Sequence, residues 1–307
     1  MSFSPNFSNH HRQAVLALIV ANIIWGAASP IFKLALQNIT PFTLAFFRFF
    51  AASYLLFPFA VKSLWIEKKD WLNLFLLSIF GITINITFFF LGLEFAPSIN
   101  APIIASSGPI FLYLLSIFVL GEKPHRKVFW GMIISLIGVL VIVGQPLLSR
   151  GVNGEILGNL FFVLATIGAV GHAVFSKEIM PKYSAVTVTF WSFLIGSITF
   201  FPFFVYEMIN LHPLTSLDSR GLTGIVFGIF LSSALAYFLF EWGTKKLAAQ
   251  EIGLFTYIDP VVAVVIAIPL LGEVITPVFI IGSILVFAGI FLAEGRLHWH
   301  PIHRLRR

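Results

Sequence analysis

Asp259 stands beside Pro260 in one long apolar run, Arg48 in a second, and Glu241 and His172 in two more. A charge inside such a run costs at least ~2.5–3.5 kcal/mol on membrane-insertion scales, so each is a candidate for function. Asp259 could take up a proton or hold an ammonium group. Pro260 lacks an N–H and would free a carbonyl in the preceding turn, which suits a cavity wall better than lipid. Arg48 could anchor a carboxylate. Its structural alternative is a tie to Glu94, at the end of the next run, or to backbone carbonyls. Glu241 could snorkel to the interface or pair with Lys245, four positions on. His172 could be a packed ring or a proton carrier. His172, Glu241 and Asp259 fall in one half of the chain and form a candidate proton-coupling set.

Neutral residues complete the expected substrate site. Asn22 and Trp25 are three apart, hence on one helix face. Asn85, Asn100, Ser106, Trp191 and Tyr257 lie within other runs. With Asp259 they would wall an aromatic cavity with few polar groups, suited to an amphipathic or aromatic metabolite. No catalytic residue, metal site or cofactor is expected. The chain has no cysteine and no Walker A pattern, and Asp259 is the one Asp inside a run. His298, His300 and His303 read as part of a basic, aromatic membrane anchor.

The elements that carry these residues follow from composition. Charged residues make up 10% of the 307 and hydrophobic residues 58%, whereas soluble domains average roughly 25% charged. A soluble globular protein, a disordered chain and a soluble nucleic-acid binder are excluded, although the pI is near 9.7. Ten stretches are long and apolar enough to span a bilayer: 13–33, 42–62, 71–93, 98–120, 127–147, 156–176, 185–206, 222–243, 250–271 and 275–294. The first reads as a retained helix, not a signal peptide. With the N-terminus cytoplasmic, fifteen of the 19 Lys and Arg fall on the inside and three outside. Both termini are therefore expected in the cytoplasm.

The chain also repeats. Gly92, Pro109, Gly121, Glu122, Gly131 and Gly138 recur 151 residues later as Gly243, Pro260, Gly272, Glu273, Gly282 and Gly289. Nearer the start of each half the offset is 144, as in Lys33/Lys177, Thr43/Thr187, Phe46/Phe190 and Phe49/Phe193. Five spans per half is odd, so the second half enters the membrane upside down. Folds built this way bind solutes between the halves and alternate access by rocking them. Paired prolines in spans 4 and 9 (Pro97, Pro102 and Pro109; Pro260 and Pro269) fit a bendable cavity wall. The repeated glycines predict close helix packing, and Gly224-x-x-x-Gly228 adds a small face. Glu122 and Glu273 read as anchors of helix ends or loops.

Trp25-Gly26, Lys33 and the Pro41 to Arg48 stretch resemble the start of an EamA domain. Pro109 to Glu122 with Gly131 and Gly138, and Pro260 to Glu273 with Gly282 and Gly289, resemble the ends of two copies. The second copy lacks Trp-Gly and has Ser192 where the first has Arg48. The resemblance implies the drug/metabolite transporter superfamily, mostly bacterial inner-membrane exporters of amino acids, related metabolites or drugs. It also implies a packing role for Arg48.

The combined expectation is an all-α membrane protein of ten transmembrane helices. They form two inverted five-helix repeats, 13–148 and 155–295, with both termini inside. It would be a secondary transporter, not an enzyme, working as a monomer or homodimer in the bacterial inner membrane. Its partners would be a small-molecule substrate, the lipid bilayer and protons as coupling ion, with no nucleic acid. Amino-acid export leads, a multidrug or other metabolite carrier is the alternative, and a channel or membrane enzyme comes last.

Overall fold

A computed structural model describes residues 9–108, 111, 126–149, 154–244 and 255–294. Every regular element among them is helical. In chain order these are α1 (Asn9–Leu36), α2 (Pro41–Ala60), α3 (Lys68–Phe95), α4 (Asn100–Ala105), α5 (Arg126–Ser149), α6 (Gly154–Ile179), α7 (Ala185–Asn210), α8 (Ser219–Gly243), α9 (Ile258–Leu271) and α10 (Pro277–Glu294). Seven contain apolar stretches of 20–28 residues, long enough to cross a bilayer; α9 and α10 are shorter and equally apolar. Their outward faces are apolar too: Tyr54 is 75% and Phe291 80% exposed. Hydrocarbon accommodates such surfaces, and this is an integral membrane protein. Of the fourth expected span, the part from 112 to 120 lies outside the described residues, as do Pro109, Glu122, Lys245 and the three C-terminal histidines.

Local chemistry sets the helix ends. Thr40 is extended (φ −73°, ψ 150°), as a residue before proline tends to be, and Pro41 opens α2. Asp218 accepts from the N–H groups of Arg220 and Gly221 at the start of α8. The Arg220 guanidinium, hydrogen-bonded to that carboxylate, holds it below the usual range. Gly272 closes α9 at φ 66°, a left-handed conformation open to glycine.

The structure corrects the reading of Pro260. The start of the ninth expected span, 250 to 254, lies outside the described residues; helix α9 begins at Ile258, so Pro260 lies in its first turn, where its missing N–H costs no intrahelical bond. The helix is interrupted by a turn at Thr256–Tyr257, and α4 ends in a turn at Ser106–Ser107. Ser106 and Tyr257 correspond across the 151-residue offset. The hydroxyls of Ser106 and Ser107 donate to the carbonyls of Pro102 and Ile104. The irregular backbone is thus set by these turns, not by a proline kink.

Two further irregularities match. Ile79–Ile84 of α3 and Phe227–Leu235 of α8 are π-helical, and the same offset places 79–84 on 230–235.

Packing respects the repeat. Helix α3 packs on α6 and α7, and α8 packs on α1 and α2. Helix α2 packs on its counterpart α7, and α5 on its counterpart α10. Phe49 touches its own counterpart Phe193, ring centroids 5.2 Å apart. The counterparts run antiparallel. At one end of the α2–α7 pair, Glu207 accepts from Thr43 N (2.6 Å), Phe42 N (3.2 Å) and the hydroxyls of Thr40 and Thr43. At the other, Ser63 meets the Thr187 hydroxyl (2.7 Å). The α5–α10 pair meets along the repeated glycines. A Cβ on Gly131 would fall 2.5 Å from Gly289 O, and one on Gly138 2.6 Å from Gly282 O.

Paired braces tie the turns. In the α6–α7 turn, Lys182 Nζ and Tyr183 Oη both donate to Asp70, at the start of α3 (2.7 and 2.8 Å). In the α1–α2 turn, Asn38 bonds Ser216 O and Asp218 N before α8. Asn38 and Lys182 are counterparts at offset 144.

Candidate functional site

A cavity of about 400 Å³ lies where α1, α3, α4, α6 and α9 meet, so both halves build it. This volume is within the range of small-molecule sites. Gly108 and its counterpart Asp259 both reach it, as do Trp25 and its counterpart Ala169, and Ser29 and its counterpart Ala173. The walls are Trp25, Phe89 and Phe162, with small apolar residues between them.

Four other polar residues line the cavity: Ser29, Asn85, Thr166 and Asp259. Trp25 donates Nε1–H to Ser232 O (3.1 Å) and stands edge-on to Tyr237. Asn85 donates to Ala165 O (2.8 Å), and Thr166 to Phe162 O (2.8 Å). Asp259 Oδ1 and the Ser29 hydroxyl are buried and have no hydrogen-bond partner. The Asp259 carboxyl sits in the first turn of α9, where the helix dipole complements negative charge. Gly26 brings α1 onto the same backbone. A Cβ there would lie 2.8 Å from Asp259 O and 2.8 Å from Val262 Cβ.

Of the eight residues expected to wall the substrate site, the cavity gathers Trp25, Asn85 and Asp259. The other five are not among its lining residues. Asn22 donates to Leu18 O within its own helix, and Asn100 donates to Asn159 Oδ1. Ser106 bonds Pro102 O. Trp191 donates to Leu64 O and stands edge-on to Trp71, and Tyr257 stands edge-on to Phe287. Sequence reasoning missed Ser29, Phe89, Phe162 and Thr166. Ser29 was within reach, because it lies one turn beyond Trp25 on the same face. The two phenylalanines stand among 36 and carry no distinguishing signal.

The titratable set divides. His172 and Glu241 share a recess of about 10 Å³, too small for a solute, and Glu241 also lines a separate cavity of about 150 Å³ beside α2 and α7; His172 Nδ1 is 3.2 Å from Leu77 O. Asp259 lines the large cavity instead. Nor does Arg48 meet Glu94, which is exposed. Its Nε and Nη2 donate to Ser233 Oγ (2.8 Å) and Ser232 Oγ (3.0 Å), and its guanidinium lies 4.9 and 4.7 Å from the Phe32 and Phe49 ring centres. The π-helical stretch of α8 presents both hydroxyls. Ser232 therefore takes Arg48 through its hydroxyl and Trp25 through its carbonyl.

One turn beyond Ser29, Lys33 Nζ bonds Ala96 O and lies 3.6 Å from Glu273 Oε1. Glu273 accepts from Ser98 N (2.7 Å) and Ile99 N (3.1 Å), anchoring the loop before α4.

Comparison with known proteins places this geometry. Residues 12–144 and 156–294 each match the EamA-like transporter family. An Archaeoglobus fulgidus protein named "Uncharacterized transporter" is 30% identical over 91% of this chain and 96% of its own. An Escherichia coli (strain K12) protein named "Probable amino-acid metabolite efflux pump" is 28% identical over 94% of this chain and 96% of its own. A solved structure described only as "Crystal structure of protein" aligns with a TM-score of 0.63 at 18% identity, over 94% of this chain and 100% of its own, a likeness of fold.

Proposed function

Because this chain belongs to the EamA-like transporter family, a family of transporters and not of enzymes, we propose that it is a secondary carrier working by alternating access. The observation that carries this reading is the cavity between the halves, bounded by helices that break at matched places. Broken helices at a repeat interface are where carriers of this architecture hold their solutes. The proposed topology is ten transmembrane helices in two inverted repeats, 13–148 and 155–295. Both termini lie in the cytoplasm and the inner membrane of the cell is the site of action. The antiparallel α2–α7 and α5–α10 pairs support the inversion, and the Lys/Arg asymmetry supports the orientation.

The proposed solute contacts are Trp25, Asn85 and Asp259, to which the cavity adds Ser29 and Thr166. Asp259 is the proposed proton-coupling group, with His172 and Glu241 secondary because they line a separate recess. Arg48 is proposed to be structural. The names of the Escherichia coli relative and of a similar protein from Salmonella typhimurium favour export of amino-acid metabolites.

A thermal-shift screen of the purified protein against amino acids, amines and drugs tests this reading. It is followed by counterflow in proteoliposomes with and without a pH gradient. Saturable exchange of a stabilising compound is expected. Its absence for every stabilising compound overturns the carrier reading, and proton-driven transport that survives Asp259→Asn overturns the coupling role.

A further inference from the structure

The hydrogen-bonding balance of the cavity restricts what it can hold. Asp259 brings the one ionisable side chain among its described lining residues, and one oxygen of that carboxyl is buried without a partner. No Lys, Arg or His is among those residues. Trp25 has already spent its N–H on Ser232 O, and Thr166 its O–H on Phe162 O. What these side chains still offer is mainly acceptors: the orphan Asp259 oxygen, the Asn85 carbonyl and the Thr166 lone pairs. The donors left over are neutral, the Ser29 hydroxyl and the second Asn85 N–H.

From this balance, and resting on the carrier reading above, we propose that the cavity recognises an organic monocation. The ligand is a protonated amine on an aromatic or apolar body, without a free carboxylate. The ammonium bonds Asp259 Oδ1, and the body lies against Trp25, Phe89 and Phe162. Three N–H donors on one positive centre supply what the wall lacks, and aromatic faces attract a desolvated cation. A zwitterionic amino acid would satisfy Asp259 equally but leave its own carboxylate buried with no cationic partner on the described wall. An anion would face the Asp259 carboxylate with only the neutral Ser29 and Asn85 donors to offset it. Within amino-acid metabolites the class is therefore the amines, amides and esters.

A matched series sharing one phenyl group tests the proposal by calorimetry on the full-length protein in lipid nanodiscs. The probes are phenethylamine, phenylalanine amide, phenylalanine, 3-phenylpropionate and 2-phenylethanol. The amine and the amide are expected to bind at least about tenfold more tightly than phenylalanine, with 3-phenylpropionate weakest. Asp259→Asn is expected to remove that preference while changing 2-phenylethanol binding less than about threefold, which also shows that the variant is folded. Asp259→Glu is expected to restore the preference. Equal binding of phenylalanine and phenethylamine, or an unchanged preference in Asp259→Asn, overturns the proposal. If Asp259→Asn does not fold, the wild-type series decides alone. Counterflow separates this proposal from the carrier reading. Selective amine binding without exchange sinks the carrier and leaves the cation site, whereas saturable phenylalanine exchange indifferent to Asp259 does the reverse.

Discussion

A methyl group on Gly26 would press on the backbone of Asp259, so the glycine sets how closely α1 approaches the start of α9. Gly26→Ala should cost about 1–3 kcal/mol through overpacking and should weaken ligand binding, because the displaced atoms carry the cavity's carboxyl. Melting temperature and calorimetry read the two effects, and an unchanged protein in both would show that the contact yields freely. Among the described residues, Arg48 bonds two hydroxyls and lies against two aromatic rings. Hydrogen bonds to charged groups are worth about 1.5–3 kcal/mol, so Arg48→Ala and Ser233→Ala should each destabilise. Their double-mutant cycle should show coupling, and strict additivity would count against the bond. Asp259 was legible in the sequence because a carboxyl in an apolar run is expensive. The partners of Arg48 were not, since Ser232 and Ser233 lie some 185 positions away and look like any small polar pair in a membrane helix.

Helices α2 and α7 hold each other's first turns. Glu207→Ala would leave the Phe42 and Thr43 N–H groups without their acceptor, at about 0.5–2 kcal/mol, the usual worth of an N-cap. Glu207→Gln keeps one acceptor and should fall between. Thermal unfolding in detergent ranks the three, and equal midpoints would deny the cap any stabilising role. The Asp70 brace makes a pH prediction. Its hydrogen bond raises Lys182 above the ordinary lysine range. A raised value means the contribution is complete below the unfolded-state value and is lost as pH rises through the folded one. Lys182→Met should therefore melt lower than the parent at neutral pH, and the gap should narrow in strong alkali, or in strong acid where Asp70, held below the usual carboxylate range by the same brace, takes up a proton. A gap that closes at mildly acidic pH would assign the effect elsewhere. Helix positions were readable from run length and from Pro and Gly at the ends. The π-helical stretches were not, because helices apolar on every side carry no phase against which an extra residue could be noticed.

At the scale of the whole molecule, the repeated glycines were legible as packing positions. Seven apart and repeated at offset 151, they meet along the α5–α10 seam, and of the offset-144 pairs Phe49 and Phe193 meet between α2 and α7. Chemistry at the centre was less legible, because the halves differ where the solute would sit: Trp25 has Ala169 as its counterpart in the other half, and Asp259 has Gly108. The chain has no native cysteine, so single cysteines report orientation without background. With the proposed topology, Ser216→Cys should react with an impermeant maleimide on intact cells and Lys68→Cys only after lysis. Labelling of both from one side would refute it. The matched π-helical stretches also extend the repeat. An i→i+5 turn holds one residue more than the α-turn it replaces, and the stretch in α3 falls within that of α8 at the 151-residue offset. The two halves thus share a departure from regular helix as well as the helices, at positions where every paired side chain differs.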